Sequence, residues 1–90
     1  MSKQDDMRKA QELELEQRKA DDIHVMSTPA GRRFVNRIIA SCGVDSAGHI
    51  GSAEIHYRAG ARDVGIRIKQ EMEAVCFDRY IEMLQEARAK

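Results

Sequence analysis

The chain has 90 residues, enough for one domain at most, and small domains of this size often depend on oligomerisation or a partner for stability. Charged residues make up 33% and aromatic residues only 4%, with a net charge of zero, so Ile, Val, Leu, Met and Ala must supply the burial, and the composition suits solvated helices better than sheets. No stretch approaches the ~18 apolar residues of a membrane span, the charged N-terminus is no secretory signal, and Cys42 and Cys76 make no disulfide framework, which predicts maturation in a reducing cytoplasm.

The neutral total conceals a pattern. Residues 1–26 hold seven acidic and five basic side chains, residues 27–69 three acidic and seven basic, and residues 70–90 five acidic and three basic. A basic middle between acidic ends can be matched within the chain, between protomers or by an anionic partner.

The first segment, to Met26, has no Gly or Pro and is rich in good helix formers. Its apolar residues Met7, Leu13, Leu15, Ile23 and Val25 form no continuous stripe, so alone it is a marginal helix. It reads as a charged N-terminal arm over residues 1–22, helical in its later part, where Ile23, Val25 and Met26 reach a core. Leu13 and Leu15 are then candidates for partner contact. Residues 23–90 form the helical domain proper.

Ser27-Thr28-Pro29 is the clearest punctuation: Thr28 suits the N-cap and Pro29 the first helical position. A helix is predicted from residue 29 to about 42, with Phe34, Val35, Ile38, Ile39 and Cys42 on one buried face, and Gly43 fits the left-handed position that ends many helices. A loop follows over residues 44–51, with Gly48 and Gly51. Ser52 is the next expected N-cap, before a long helix from residue 53 to about 76. There Tyr57, Ala61, Val64, Ile68, Met72 and Val75 form an amphipathic seam, and Glu54–Arg58 and Asp63–Arg67 are spaced as i,i+4 ion pairs. Gly60 and Gly65 inside this helix each cost roughly 1 kcal/mol relative to Ala. They predict close packing against the preceding helix in an antiparallel hairpin. Asp78 is a candidate N-cap for a last helix from residue 79 to about 87, carrying Tyr80, Ile81, Met83 and Leu84; the alternative is one uninterrupted helix from residue 53 to the end. The expected fold is thus all-α: a small helical domain with a central antiparallel helical hairpin, an N-terminal helical arm and a C-terminal helix.

No catalytic motif appears, and the chain is expected not to be an enzyme. Cys42 and Cys76 lie on apolar helix faces, no nucleophile-and-base arrangement or phosphate-cradling loop is present, and no cofactor is implied. His49 and His56 are separated by six residues and the cysteines stand 34 positions apart, unlike the short paired spacings of zinc sites. The arginines are more informative. Arg32, Arg33 and Arg37 lie on one predicted helix, and Arg58, Arg62 and Arg67 on the next, as partner-binding candidates. Such a pair of helices can contact phosphates. The intervening loop of about ten residues exceeds the three or four of a helix-turn-helix, and the pI of 6.8 is below that of a basic nucleic-acid module. A salt-bridged protein interface explains the arginines equally well.

Two blocks carry a resemblance. Ser27-Thr28-Pro29-Ala30-Gly31-Arg32-Arg33-Phe34 with Cys42-Gly43-Val44, and Tyr57-Arg58-Ala59-Gly60-Ala61-Arg62-Asp63-Val64-Gly65-Ile66-Arg67, resemble a family of small tailed-phage proteins, found chiefly in podoviruses and named after a Bordetella phage reading frame. The likeness covers residues 26–73 or so. It departs at Ala30, where the family often has Glu, and at Asn36, where it has an aromatic residue or Leu. It implies a virion structural or assembly protein: a minor component of the portal, neck (head–tail connector) or tail region, or an internal protein ejected with the DNA. The implied partners are other virion proteins and further copies of the chain, in the virion and, during assembly, in the host cytoplasm, with no membrane association. The competing expectation is a DNA-binding or host-takeover regulator that uses the arginine-rich helices.

Overall fold

The computed structural model describes residues 2–43 and 52–89, with the backbone alone for 52–56. Its elements are four helices, α1 (Lys3–Met26), α2 (Pro29–Ser41), α3 (Ser52–Val75) and α4 (Phe77–Arg88). The fold is all-α, with no strand among the described residues.

The starts of α1 and α2 have local causes. Ser2 caps α1, its side chain accepting from the Asp5 N–H, and Asp5 and Asp6 place negative charge at the positive end of the helix dipole. The arm is therefore helical from its first residues, and not only in its later part. Thr28 caps α2 as expected: its Oγ1 accepts from Gly31 N at 3.0 Å, with Pro29 at the first helical position. Gly43, at φ 73°, takes the left-handed conformation that closes α2. Ser52 is the first helical residue of α3 and not the residue before it. The loop read at residues 44–51, with Gly48, Gly51 and His49, lies outside the described residues.

The expected break near Asp78 falls earlier. Cys76, at φ −144° and ψ 62°, separates α3 from α4, and Asp78 lies in the first turn of α4. Cys76 still donates its N–H to Met72 O at 2.9 Å, and its carbonyl accepts from Tyr80 N at 2.9 Å. The bend thus costs little hydrogen bonding. No Gly or Pro marks it; the packing of α4 on α2 holds it.

α2 is the centre of the molecule, packed against α3, α4 and the end of α1. This packing is consistent with a central α2–α3 hairpin, to which α4 adds a third member. The core is small: Met26 from α1, Val35 and Ile39 from α2, Met72 from α3, Tyr80 and Met83 from α4, flanked by Ile68, Cys76, Ile81 and Leu84. Three of the six buried residues are methionines, whose flexible thioethers fill irregular gaps between short helices.

Several residues expected in the core lie outside it. Phe34 is 52% exposed, and Ile23 and Val25 also face solvent, so Met26 is the one apolar side chain that α1 places in the core. α2 buries Arg32, Val35 and Ile39, with Ile38 and Cys42 half-buried; the face is turned toward Arg32 and away from Phe34. Tyr57 and Val64 are exposed, whereas Gly65 is buried, Ile68 half-buried and Met72 buried. The reason is length. α3, at about 36 Å, is nearly twice as long as α2 or α4, so its early turns overhang them. Gly60 makes no close approach: a Cβ there meets nothing within 4 Å. The spacing of Asp63 and Arg67 produces no ion pair among the described residues, and the Glu54 side chain lies outside them.

The shape is open. The Cα radius of gyration is 16.7 Å, against about 12 Å for a compact 90-residue domain, and the extents are 55 × 36 × 16 Å.

Candidate partner-binding surface

Arg32 was an outward-facing candidate in the sequence; the structure puts it inside. Its side chain is 4% exposed. Nη1 donates to the Met26 carbonyl at 2.9 Å, filling one of the acceptors that the C-terminus of α1 leaves open. Nε donates to Glu86 Oε1 at 2.9 Å, and Nη2 lies 2.7 Å from Glu86 and 3.3 Å from Glu82. One guanidinium thus ties the end of α1 and the last turns of α4 to α2. Arg32→Ala leaves the Met26 carbonyl without its donor and Glu86 without its cation, while Glu82 keeps Arg79. It should lower the melting temperature much more than Arg18→Ala, which removes a largely exposed partner; circular dichroism melts compare the two.

The start of α2 is equally constrained by Gly31. An added Cβ there would stand 1.8 Å from Val25 O and 2.8 Å from Val25 C. The backbone of α1 runs against this position, and only glycine lets α1 turn so sharply into α2.

Beside this corner, α2 and α4 bound a groove of about 480 Å³, lined among others by Pro29, Arg33, Asn36, Arg37, Met83 and Ala87. Arg33 and Arg37 are exposed and form no ion pair among the described residues. The Arg37 guanidinium lies 5.8 Å from the centre of the exposed Phe34 ring, a cation–π arrangement. Phe34, expected in the core, therefore lies on the outer surface, with the Arg37 cation over its ring. On α3, Arg58, Arg62 and Arg67 are exposed and also without an ion pair among the described residues.

The arm presents the opposite sign. Leu13 and Leu15 are 70% and 54% exposed, and Glu12, Glu14 and Glu16 make no ion pair among the described residues. Before its last turn, α1 is held by a polar clasp. Arg18 Nε donates to both Glu71 carboxylate oxygens, at 3.0 and 3.1 Å. This hydrogen bond holds Glu71 below the usual carboxylate range. One turn on, Asp22 Oδ2 is buried with no donor in reach. Burial first, then the neighbouring Glu71 carboxylate, push the Asp22 carboxyl up to about 6. The nearby Cys76 thiol is pushed up by burial and then by the charges of Asp22 and Glu71.

This clasp predicts a pH dependence. Asp22 binds its proton more tightly in the folded protein than in the unfolded chain, where its pKa is about 3.9. Its contribution to stability is fully present below about pH 4 and is lost as the pH rises through about 6. Glu71 acts oppositely, its contribution being lost as the pH falls below the ordinary carboxylate range. Asp22→Asn supplies a permanent donor to Glu71 and removes the repulsion. At pH 8 it should stabilise the protein by about 1 kcal/mol, after allowance for solvent screening, a rise of roughly 4–8 °C in Tm. The fall in stability between pH 4 and 7 should disappear with it.

Among the described residues no three His, Cys, Asp or Glu side chains cluster to hold a metal ion, and no helix is long and apolar enough to cross a membrane. With the anchoring corner, the groove and the exposed arginines placed, comparison with known proteins bears on all three. The model of the family described as Bbp19-like phage protein matches residues 24–85, from the last turn of α1 through most of α4. The chain belongs to this family. The match takes in the Thr28–Pro29 cap, Gly31, Arg32 and the α2 side of the groove with Met83, while Glu86 and Ala87, which complete the corner and the groove, lie just past it. No curated protein and no solved structure matches the chain.

Proposed function

We propose that this phage protein is a structural or assembly component of the virion of a short-tailed phage. It acts by protein–protein binding, in several copies, in the portal, neck or tail region or as an internal protein ejected with the DNA. The observation that carries this reading is surface left uncovered. The chain exposes 7190 Å², whereas a compact monomer of 10.2 kDa exposes about 5,300 Å². The excess on this one chain is about twice the roughly 800 Å² that each partner contributes to a standard protein–protein interface. Exposed Leu13, Leu15, Phe34, Tyr57 and Val64 lie on this surface. The reading places the protein in the host cytoplasm during assembly and in the particle afterwards. Quantitative mass spectrometry of purified virions tests it: a fixed, multiple copy number is expected, and absence from the particle removes the reading.

The exposed arginines favour a second reading, a DNA-binding or host-takeover regulator. It predicts DNA affinity that falls steeply with salt and is lost on replacing Arg33, Arg58, Arg62 and Arg67 by Ala. No binding at low salt excludes it. Arg32 has no part in that test, since its charge is already matched within the fold.

A further inference from the structure

Two surfaces of this chain are unmatched and complementary. The first is the α2/α4 groove. Arg33 and Arg37 stand one helical turn apart at its edge without carboxylate partners, and the exposed Phe34 ring lies between them in sequence and under Arg37. Arg32, the third cation of the groove, is neutralised by Glu82 and Glu86, so the free charge sits at the rim and not on the floor.

The second surface is the outer side of α1. Arg18, Asp22 and Met26, spaced four residues apart, mark the face that turns toward α3 and the core. Leu13 lies on the opposite side of the helix, at 70% exposure. Glu12 and Glu16 fall beside it, also one turn apart, and neither finds a cation among the described residues. The arm and the groove thus present carboxylates and guanidinium groups at the same spacing, each pair next to one exposed apolar side chain. α1 is a continuous helix that packs on α2 and α3, and Glu12 and Glu16 form no ion pair with Arg33 or Arg37 of the same chain.

We propose that the outer face of α1 from one copy seats in the α2/α4 groove of a second copy, with Glu12 and Glu16 against Arg33 and Arg37 and Leu13 against Phe34. This inference rests on the reading of the protein as a multimeric virion component and names one of its contacts. It draws on surface in excess of a compact monomer, enough for each copy to contribute about 800 Å² through its arm to one neighbour and about 800 Å² through its groove to another. Repeated in one direction, an arm-to-groove contact closes into a ring or continues as a filament. Because the charges lie at a rim, the association should weaken as salt rises.

Analytical ultracentrifugation of the full chain at low ionic strength, across a concentration series, tests this. The probes are the wild-type protein, a groove variant (Arg33→Glu with Arg37→Glu) and an arm variant (Glu12→Lys with Glu16→Lys). All four positions are exposed, so both variants should keep the wild-type circular dichroism melt. Wild type should self-associate, and each variant alone should associate at least tenfold more weakly. An equimolar mixture of the two should recover the affinity, since the reversed charges again face each other. A wild type that is monomeric throughout, variants that associate like wild type, or a mixture that recovers nothing would each overturn the arm-to-groove contact. The wider reading fails separately, on absence of the protein from virions.

Discussion

Met26→Ala should lower the stability of the folded chain by about 3 kcal/mol, within the range measured for truncating a buried methionine. Met26 is the one residue of α1 in the core and is completely buried, among Val35, Ile39, Met72, Tyr80 and Met83. Its truncation takes from α1 the one side chain packed in the core that α2, α3 and α4 share. A domain of this size has only about 5–13 kcal/mol of total stability, so the loss should appear as a large drop in the denaturant midpoint. The cavity borders three other methionines or aromatic neighbours that can shift into it, which keeps the cost below the upper end of the range. Phe34→Ala, by contrast, should change monomer stability by no more than about 0.5 kcal/mol, despite the larger side chain. Urea titrations of both variants check this ordering. A Phe34 effect as large as that of Met26 would mean the ring is packed inside.

Gly31→Ala and Gly60→Ala should move stability in opposite directions. Intrinsic propensity favours alanine over glycine within a helix by up to about 1 kcal/mol. At Gly60, where an added Cβ meets nothing within 4 Å, that gain should be realised, a stabilisation of about 0.5–1 kcal/mol. At Gly31 the Cβ would run into the Val25 carbonyl, a backbone group that cannot rotate aside. Forcing the helices apart costs roughly 3 kcal/mol, leaving a net destabilisation of about 2 kcal/mol. The displacement also pulls the Met26 carbonyl from Arg32. Chemical denaturation of the two variants in parallel gives the signs directly, and two changes of the same sign would contradict the geometry of the α1–α2 corner.

These glycines show what was legible in the sequence. The turn chemistry was: Thr28, Pro29 and Gly43 act through local backbone physics and appear in the structure as expected. The all-α class was legible too, from helix formers and the lack of strand patterns. Gly60 and Gly65 attracted notice because they interrupt a periodic helix, but interruption does not reveal what lies opposite. Gly31, where the close approach occurs, sits near a helix start where glycine is unremarkable. Only the path of α1 in space exposes its role.

The surface residues were harder still. Phe34 shares the periodicity of Val35 and Ile38, and periodicity does not distinguish a face turned to the core from one turned to a partner. Arg32 reads like its neighbour Arg33 in sequence. What separates them is distant: Glu82 and Glu86, some fifty residues on, and the freed carbonyl of Met26 make burial of the one cation tolerable. The clasp of Arg18, Asp22 and Glu71 joins two helices in the same way and left no local mark. The break at Cys76 likewise follows from α4 packing on α2. The family resemblance, carried by the Thr28–Phe34 and Tyr57–Arg67 blocks, pointed to a phage protein, and the family match over residues 24–85 establishes it.

The central claim is that the protein works in the particle by contacts with other chains. Lysine cross-linking of intact, purified virions, read by mass spectrometry, tests that claim most directly. Lys3, Lys9 and Lys19 lie along the exposed arm and Lys69 near the core. The account predicts cross-links from the arm lysines to other protein chains, including further copies of this one, at distances its own fold does not permit. Cross-links confined to distances within a single copy, or no peptide of the protein in the particle, would contradict it.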